Sequence, residues 1–386
     1  MGEFVPIDLE AVSEAYAAST DGTIGIEEEF QILDPGSLDM APRFEELFDA
    51  ARADPVLRDS VAGELIASEI EIRSGRGENF ADALARQRDA RVRLFGLAAA
   101  RGVALGSTGT HPWADYREQP NIDTEHYRGV VEGLQYVARR NNTFSLHVHV
   151  GIRDIDRAVK VCDRLRSVLP QLLAVSASSP YLDGLDSGLH SARTQAFTKS
   201  FPRCGIPDAY GSWEGYRDYL DLLLRTNSIR EYTQVWWSIR PHFAFGTVEV
   251  RICDAQSTAR ESDGLAALMA ATVLQAARDH DEGVPATEHS RRLLEENLWR
   301  AVRYGLDGKM IDFEAREEYP TAAAIDRLLA WTEPVRREHG LDVVLPDRNS
   351  AQRQRALIAE GLPMRDVFAE TVRETQATYA LNVRAS

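Results

Sequence analysis

The run Gly25-Ile26-Glu27-Glu28-Glu29-Phe30, flanked by Ile24 and by Gln31-Ile32-Leu33, constrains this chain more than any other stretch. Three consecutive carboxylates stand between apolar residues inside a β-prone segment. In an extended strand successive side chains point to opposite faces, so Glu27 and Glu29 share a face about 7 Å apart and Glu28 takes the other. Carboxylates that close repel each other unless a cation or another positive group lies between them. An acidic, solvent-facing edge strand is the plainer alternative. The choice depends on whether other segments supply matching groups.

Three do. Residues 61–73 finish in a clean alternation, with Glu69, Glu71 and Arg73 on one face and Ile70 and Ile72 on the other. In Phe144-Ser145-Leu146-His147-Val148-His149-Val150 both imidazoles share a face, and Leu146, Val148 and Val150 take the opposite one. Two strand histidines satisfied by hydrogen bonds would explain that pair alone. Val248-Glu249-Val250-Arg251-Ile252 places Glu249 and Arg251 together, as an exposed salt-bridged strand also would.

If these four segments are neighbours in one sheet, its concave face holds Glu27, Glu29, Glu69 or Glu71, His147, His149, Glu249 and Arg251. So many carboxylates are costly to bury without divalent cations. Hard oxygen donors with one imidazole favour Mg²⁺ or Mn²⁺ over zinc. Two or more such ions beside an arginine fit phosphoryl transfer, where charge on the transferring group must be neutralised. The chain has no G-x-x-x-x-G-K-[ST] and no glycine fingerprint after a strand, so neither a P-loop nor a Rossmann site is expected.

Composition narrows the partners. A formal net charge of -16 argues against a general nucleic-acid surface. Cys162, Cys204 and Cys253 lack paired metal spacing, which disfavours a disulfide scaffold and points to a reducing interior. The N-terminus is acidic, and no apolar run approaches the length of a membrane span, so a cytoplasmic location is expected.

Read in order, the elements are a short helix over Leu9 to Ala18, a strand over 23–33 ending at Asp34-Pro35-Gly36, and a short helix after Pro42. The strand of 61–73 and a long helix over Asn79 to Ala100 follow. Next come a short strand at 103–106, the loop S-T-G-T-H-P-W, a helix over Thr124 to Arg140 and a strand over Thr143 to Gly151. Residues 154–178 read as one helix capped by Asp154, and 179–215 as an irregular, functional loop. Helix 213–224, strands over Tyr232 to Arg240 and Thr247 to Cys253, helices 265–277 and 290–302, and a mostly helical tail over 321–380 complete the chain. The pattern predicts one domain over 1–386, mixing helices with a largely antiparallel sheet, its helical C-terminal part running from about 258 to 386.

G-I-E-E-E-F, E-L-I-A-S-E-I-E-I-R-S-G, G-T-H-P, the H-V-H strand and V-E-V-R, in this order and spacing over nearly the whole chain, resemble the bacterial carboxylate–amine ligases. These are also called glutamate–cysteine ligase type 2 proteins, within the glutamine synthetase superfamily. The resemblance implies an α+β fold whose curved, largely antiparallel sheet forms a funnel with helices packed behind it. It further implies ATP lying against the sheet and two or three Mg²⁺ or Mn²⁺ ions. Such ligases phosphorylate a carboxylate to an acyl phosphate, which an amine attacks to give an amide, ADP and phosphate. The family implies glutamate as the carboxylate donor and cysteine as the amine.

Carried onto this chain, Glu27 and Glu29 match the family's E-x-E, one serving each of two ions. Glu64 and Glu71 match two further carboxylates of the first ion's site; Glu64 is out of phase with Glu71, so a turn or bulge near Ala67-Ser68 is required. His147 would join Glu27 and Glu249 at the second ion, His149 would contact phosphate or nucleotide, and Arg251 would neutralise the transferring phosphoryl group. For the substrate α-carboxylate a bidentate arginine is wanted, and Arg193, Arg203 and Arg240 are the candidates. Thr110 and His111 are candidates for the amine side of the cleft, with His111 as a turn cap the alternative. One of Trp236 and Trp237 is expected in the core and one on the cleft wall. The rival readings are a two-metal hydrolase built on H-x-H and a nucleotide- and amino-acid-binding protein without turnover. A homodimer is the expected assembly.

Overall fold

The computed structural model describes residues 8–381. All four polar-faced segments are strands of one seven-stranded sheet, and every pairing in it is antiparallel. Its order is Ile239–His242, Thr247–Asp254, Ser145–Gly151, Ile24–Leu33, Glu69–Arg73 and Val61–Ala62, with Ala104–Gly106 also pairing with Ile24–Leu33. The acidic strand is therefore central, not an edge.

Register then decides which polar groups meet. Glu27 stands opposite Arg73 on one side and His147 on the other, while Glu29 stands opposite Glu71. Glu249 stands opposite both His149 and Arg240. The turn expected near Ala67-Ser68 is present, closed by the Glu69 amide donating to the Ile66 carbonyl at 3.2 Å.

The other face is apolar and carries the core. Ile26, Phe30, Ile32, Ile70, Ile72, Leu146, Val148, Val150, Val248 and Val250 are all at most 1% exposed. Against them pack Phe80–Ala100, Ile155–Leu165, Leu169–Ser176, Ala259–Asp281 and Met364–Tyr379. The C-terminal helix reaches the sheet through Tyr379, whose ring meets Phe30 edge-on and stacks on Phe95. Asn79, Asp154 and Thr258 each accept from a backbone N–H three residues on and start their helices. Cys162, Cys204 and Cys253 are buried and unpaired, as the spacing predicts.

Several boundaries differ from the expectation. The 154–178 helix is two, Ile155–Leu165 and Leu169–Ser176; Pro170 lacks an N–H, and its ring would collide with the Arg166 carbonyl in a continuous helix. The 124–140 helix breaks at Gln135, whose φ is 51°. The 232–240 strand is divided as well: Trp236–Trp237 pairs in parallel with Cys204–Gly205, and only Ile239–His242 joins the main sheet. Helix 265–277 extends over Ala259–Asp281, and Lys309–Asp312 with Glu317–Pro320 forms an unforeseen hairpin. The 179–215 loop contains a small Tyr181–Leu182/Leu185–Asp186 ladder and the Ala192–Ala196 helix.

Candidate active site

The polar face of the sheet floors a cleft of about 360 Å³. Of the residues singled out from the sequence, Glu27, Glu29, Glu64, Glu69, Glu71, His147, His149, Arg193, Trp236, Arg240, Glu249 and Arg251 line it. Alternation along the strands and the antiparallel register suffice to bring nearly all of them together.

Glu27 and Glu249 are held as carboxylates. Burial opposes ionisation of Glu27, but His149, His147 and Arg73 outweigh it and hold its carboxyl well below the usual range. Its oxygens lie 3.4 Å from His147 Nδ1 and from His149 Nε2. Glu249 is 1% exposed; burial again opposes its charge, and Arg240 and Arg251 overcome it. Arg240 Nε donates to Glu249 Oε2 at 2.6 Å, and Arg251 Nη1 donates to Oε1. Glu29 Oε2 accepts from the Ser145 amide and from its hydroxyl at 2.6 Å, and that hydroxyl lies 2.8 Å from His147 Nε2.

The strand Glu69–Arg73 behaves oppositely. Burial and the neighbouring carboxylates push Glu69 and Glu71 well above their ordinary range, and Glu64 up to about 7. Arg73 Nε donates to Glu71 at 2.5 Å, and Arg73 Nη2 lies 3.9 Å from Glu64. Glu69 Oε2 is buried with no hydrogen-bond partner among the described residues.

This donor set fits divalent cations. Seven carboxylates line the cleft (Glu27, Glu29, Glu64, Glu69, Glu71, Glu231 and Glu249), against four guanidiniums (Arg73, Arg193, Arg240 and Arg251). Among the described residues two trios bring one ligand atom from each member within 4.8 Å of one another: Glu27, His147 and Glu249, and Glu29, Glu71 and His147. The first is the second-ion set implied by the family resemblance. The second has His147 where Glu64 was expected, and Glu64 lies in the same cleft beside Arg73. Burial and Arg251 keep His147 neutral, the form of imidazole that binds a metal.

Three expectations are corrected. Thr110 is 1% exposed and its hydroxyl donates to the Tyr181 carbonyl, away from the cleft. His111 is a turn anchor: Nε2 donates to the Leu38 carbonyl at 2.8 Å, and Nδ1 accepts from the Trp113 and Ala114 amides. Burial lowers its pKa to about 4, so the ring is neutral. Arg203 donates to the Gln234 carbonyl and lies over the Trp236 ring, bracing the wall without lining the cleft. Arg193 lines the cleft while donating to the Ile252 and Arg251 carbonyls, and its Nε is buried without a hydrogen-bond partner among the described residues. Trp237 is core and Trp236 is cleft wall, as expected.

Missed from the sequence was Arg73 as a cleft residue, although the alternation E-I-E-I-R already puts it on that face; Glu69, read there as the alternative to Glu71, lines the cleft beside it. His242 and Phe245 were also missed; their rings stack at 4.4 Å, and Phe245 lines both the cleft and a neighbouring apolar cavity of about 420 Å³. That cavity shares Glu27, Arg73, His149 and Phe245 with the cleft and is otherwise lined by residues such as Ala15, Ala18, Ile24 and Ile26.

A family model for glutamate–cysteine ligase family 2 matches residues 23–348, a span that includes every strand of the sheet. The chain belongs to that family. A glutamate–cysteine ligase 2 relative from Solibacter usitatus is 38% identical over 362 residues, covering 92% of this chain and 93% of its own. One from Rubrobacter xylanophilus is 36% identical over 371 residues, covering 94% of each. The protein is thus a ligase of the glutamate–cysteine ligase type. In fold it is similar to the glutamate–cysteine ligase of Francisella tularensis solved in complex with AMP, with a TM-score of 0.70 at 11% identity over 95% of this chain and 91% of that one. At that identity the likeness speaks for the fold: helices packed on an open antiparallel sheet.

Proposed function

We infer that this ligase joins the γ-carboxylate of L-glutamate to an amine, L-cysteine among the acceptors, through an acyl phosphate made from ATP. The single observation behind this reading is the register that sets Glu27, Glu29, Glu71, Glu249 and His147 beside Arg251 on one face of the sheet. Two or three Mg²⁺ or Mn²⁺ ions held by Glu27, Glu29, Glu64, Glu71, His147 and Glu249 would neutralise the triphosphate and the two anions that must meet.

The protein's own groups do the rest. Arg251, with Nε lacking a partner, adds positive charge where the γ-phosphoryl group transfers. His149 stands between the cleft and the apolar cavity and contacts the nucleotide's phosphates. The apolar cavity suits a nucleoside, and Phe245 offers it an aromatic ring. The carboxylate oxygen bonds to the γ-phosphorus as ADP leaves. The amine nitrogen then bonds to the acyl carbon as phosphate leaves. Neither step requires a nucleophilic side chain, and the three cysteines are buried away from the cleft. Arg193 or Arg240 receives the substrate α-carboxylate.

The test is incubation with ATP, Mg²⁺ or Mn²⁺ and pooled amino acids and amines, reading ADP and the masses of new amides. ADP release that depends on a carboxylate and an amine supports the ligation. Turnover of an amide or ester without ATP would favour the hydrolase reading instead.

A further inference from the structure

One wall of the cleft plays no part in that scheme. It comes from the helix Glu125–Leu134, from Phe197 and Phe201, and from residues 231–236, and the apolar cavity shares none of it. Its titratable centre is a pair from two distant segments: His126 Nδ1 lies 3.0 Å from Glu231 Oε1. The two side chains are 53% and 44% exposed, so the pair is open to a small molecule in the cleft. A second link, Arg230 Nη2 to Glu132 at 2.8 Å, joins the same two segments.

The other imidazoles of the cleft stand on strands of the sheet. His147 bridges Ser145 and Glu27, His149 meets Thr247 at 3.0 Å, and His242 is stacked on Phe245. The sheet carboxylates face one another and their arginines. His126 is the cleft imidazole whose Nδ1 has a carboxylate partner and whose Nε2 has no protein partner among the described residues.

Ligation creates a need for such a group. An amine is mostly ammonium at neutral pH and has no lone pair with which to attack. Resting on the ligase reading above, we propose that His126, oriented by Glu231, takes the proton from the acceptor ammonium, which binds against this wall. The N–H bond breaks and its electron pair becomes the nucleophile, while the proton goes to His126 Nε2. Glu231 holds Nδ1–H and stabilises the imidazolium. The lone pair forms the C–N bond, and the C–O bond to phosphate breaks with its pair leaving on phosphate. The second amine proton goes to the departing phosphate, and His126 returns its own to water.

Hydroxylamine separates this role from the rest of the machinery, because its nitrogen is largely neutral at pH 7 and needs no base. The assay uses wild-type protein, His126→Ala and Glu231→Gln with ATP, Mg²⁺ and glutamate. The acceptor is hydroxylamine or whichever of L-cysteine, L-alanine and ethylamine the wild type accepts. We expect His126→Ala to lose about 10²–10⁴-fold in amide formation at pH 7. It should keep the wild-type rate of hydroxamate formation, and its amide deficit should shrink as pH rises and when imidazole is added. Glu231→Gln should show the same pattern with a smaller loss. The charged groups that could also bend the pH profile are Glu125, the Asp123–Arg128 and Glu132–Arg230 pairs, and Glu64 and Arg73 across the cleft. Equal losses with both acceptors, or none with either, would overturn the proposal. A wild type that makes no hydroxamate would instead remove the ligase reading, and the proton acceptor with it.

Discussion

The middle glutamate of the acidic triplet gives the sharpest test of how the fold holds its site. Glu28 points into the apolar face, where it is 3% exposed, and Arg91, at 1%, meets it. Arg91 Nε and Nη2 donate to the two oxygens of Glu28 at 2.6 and 2.9 Å, and Nη1 donates to Asp263 at 2.5 Å. Gln87 and Ser262 complete the shell around Glu28, and Arg88 also holds Asp263. Arg91→Met keeps much of the apolar stem and removes the charge, leaving Glu28 as a buried carboxylate with neutral donors only.

Removing one partner of a buried pair costs about 3–5 kcal/mol. Asp263 keeps Arg88, so we expect the lower end, about 3 kcal/mol. Adding Glu28→Gln removes the stranded charge, and the double mutant should be more stable than the two single losses summed, with a coupling energy of about 2 kcal/mol. Urea unfolding at pH 7, followed by tryptophan fluorescence and far-UV circular dichroism, reads both quantities. A loss below about 1 kcal/mol for Arg91→Met, or losses that simply add, would refute the reasoning.

Other outcomes follow from the same geometry. Glu27→Gln and Arg251→Ala should each lower ADP formation by about 10³-fold or more while leaving the circular dichroism spectrum unchanged; near-normal rates in either would show the metal-face assignment to be wrong. The Glu64 carboxyl, about 7 in the fold against 4.5 for the free group, binds more protons folded than unfolded between those values. Its contribution to stability is therefore full below pH 4.5 and is lost as pH rises through 7. The ion-free melting temperature should fall across that window, and saturating Mg²⁺ or the variant Glu64→Gln should flatten the fall; an unchanged slope in both would count against the shift. Gly264→Ala, stabilising in most helices, should destabilise here by about 1–3 kcal/mol in the same urea assay, because the new Cβ would sit 2.1 Å from the Val344 carbonyl oxygen; a gain in stability would show that the 344 segment yields.

Sequence alone determined the two-faced character of the site strands. Side-chain alternation is local, so the partition of Glu27 and Glu29 from Glu28, of His147 and His149 from Val148, and of Glu249 from Val250 needed no knowledge of the partners. It also placed Asp154 and Asn79 at helix starts, since caps depend on a few neighbouring residues. Register belonged to the tertiary structure. Whether Glu29 faces Glu69 or Glu71, and whether His147 completes one trio or two, follows from how the apolar faces of five strands pack on the helices behind them. The same holds for Thr110, His111 and Arg203, whose polar atoms found backbone partners across 71, 73 and 31 residues of chain. His126 lies on the helix Glu125–Leu134 and Glu231 in an irregular segment about a hundred residues on, and only the folding of one segment against the other brings them together. Through that folding the acidic triplet becomes a pair of candidate ligands for bound cations and, between them, an anchor to the core.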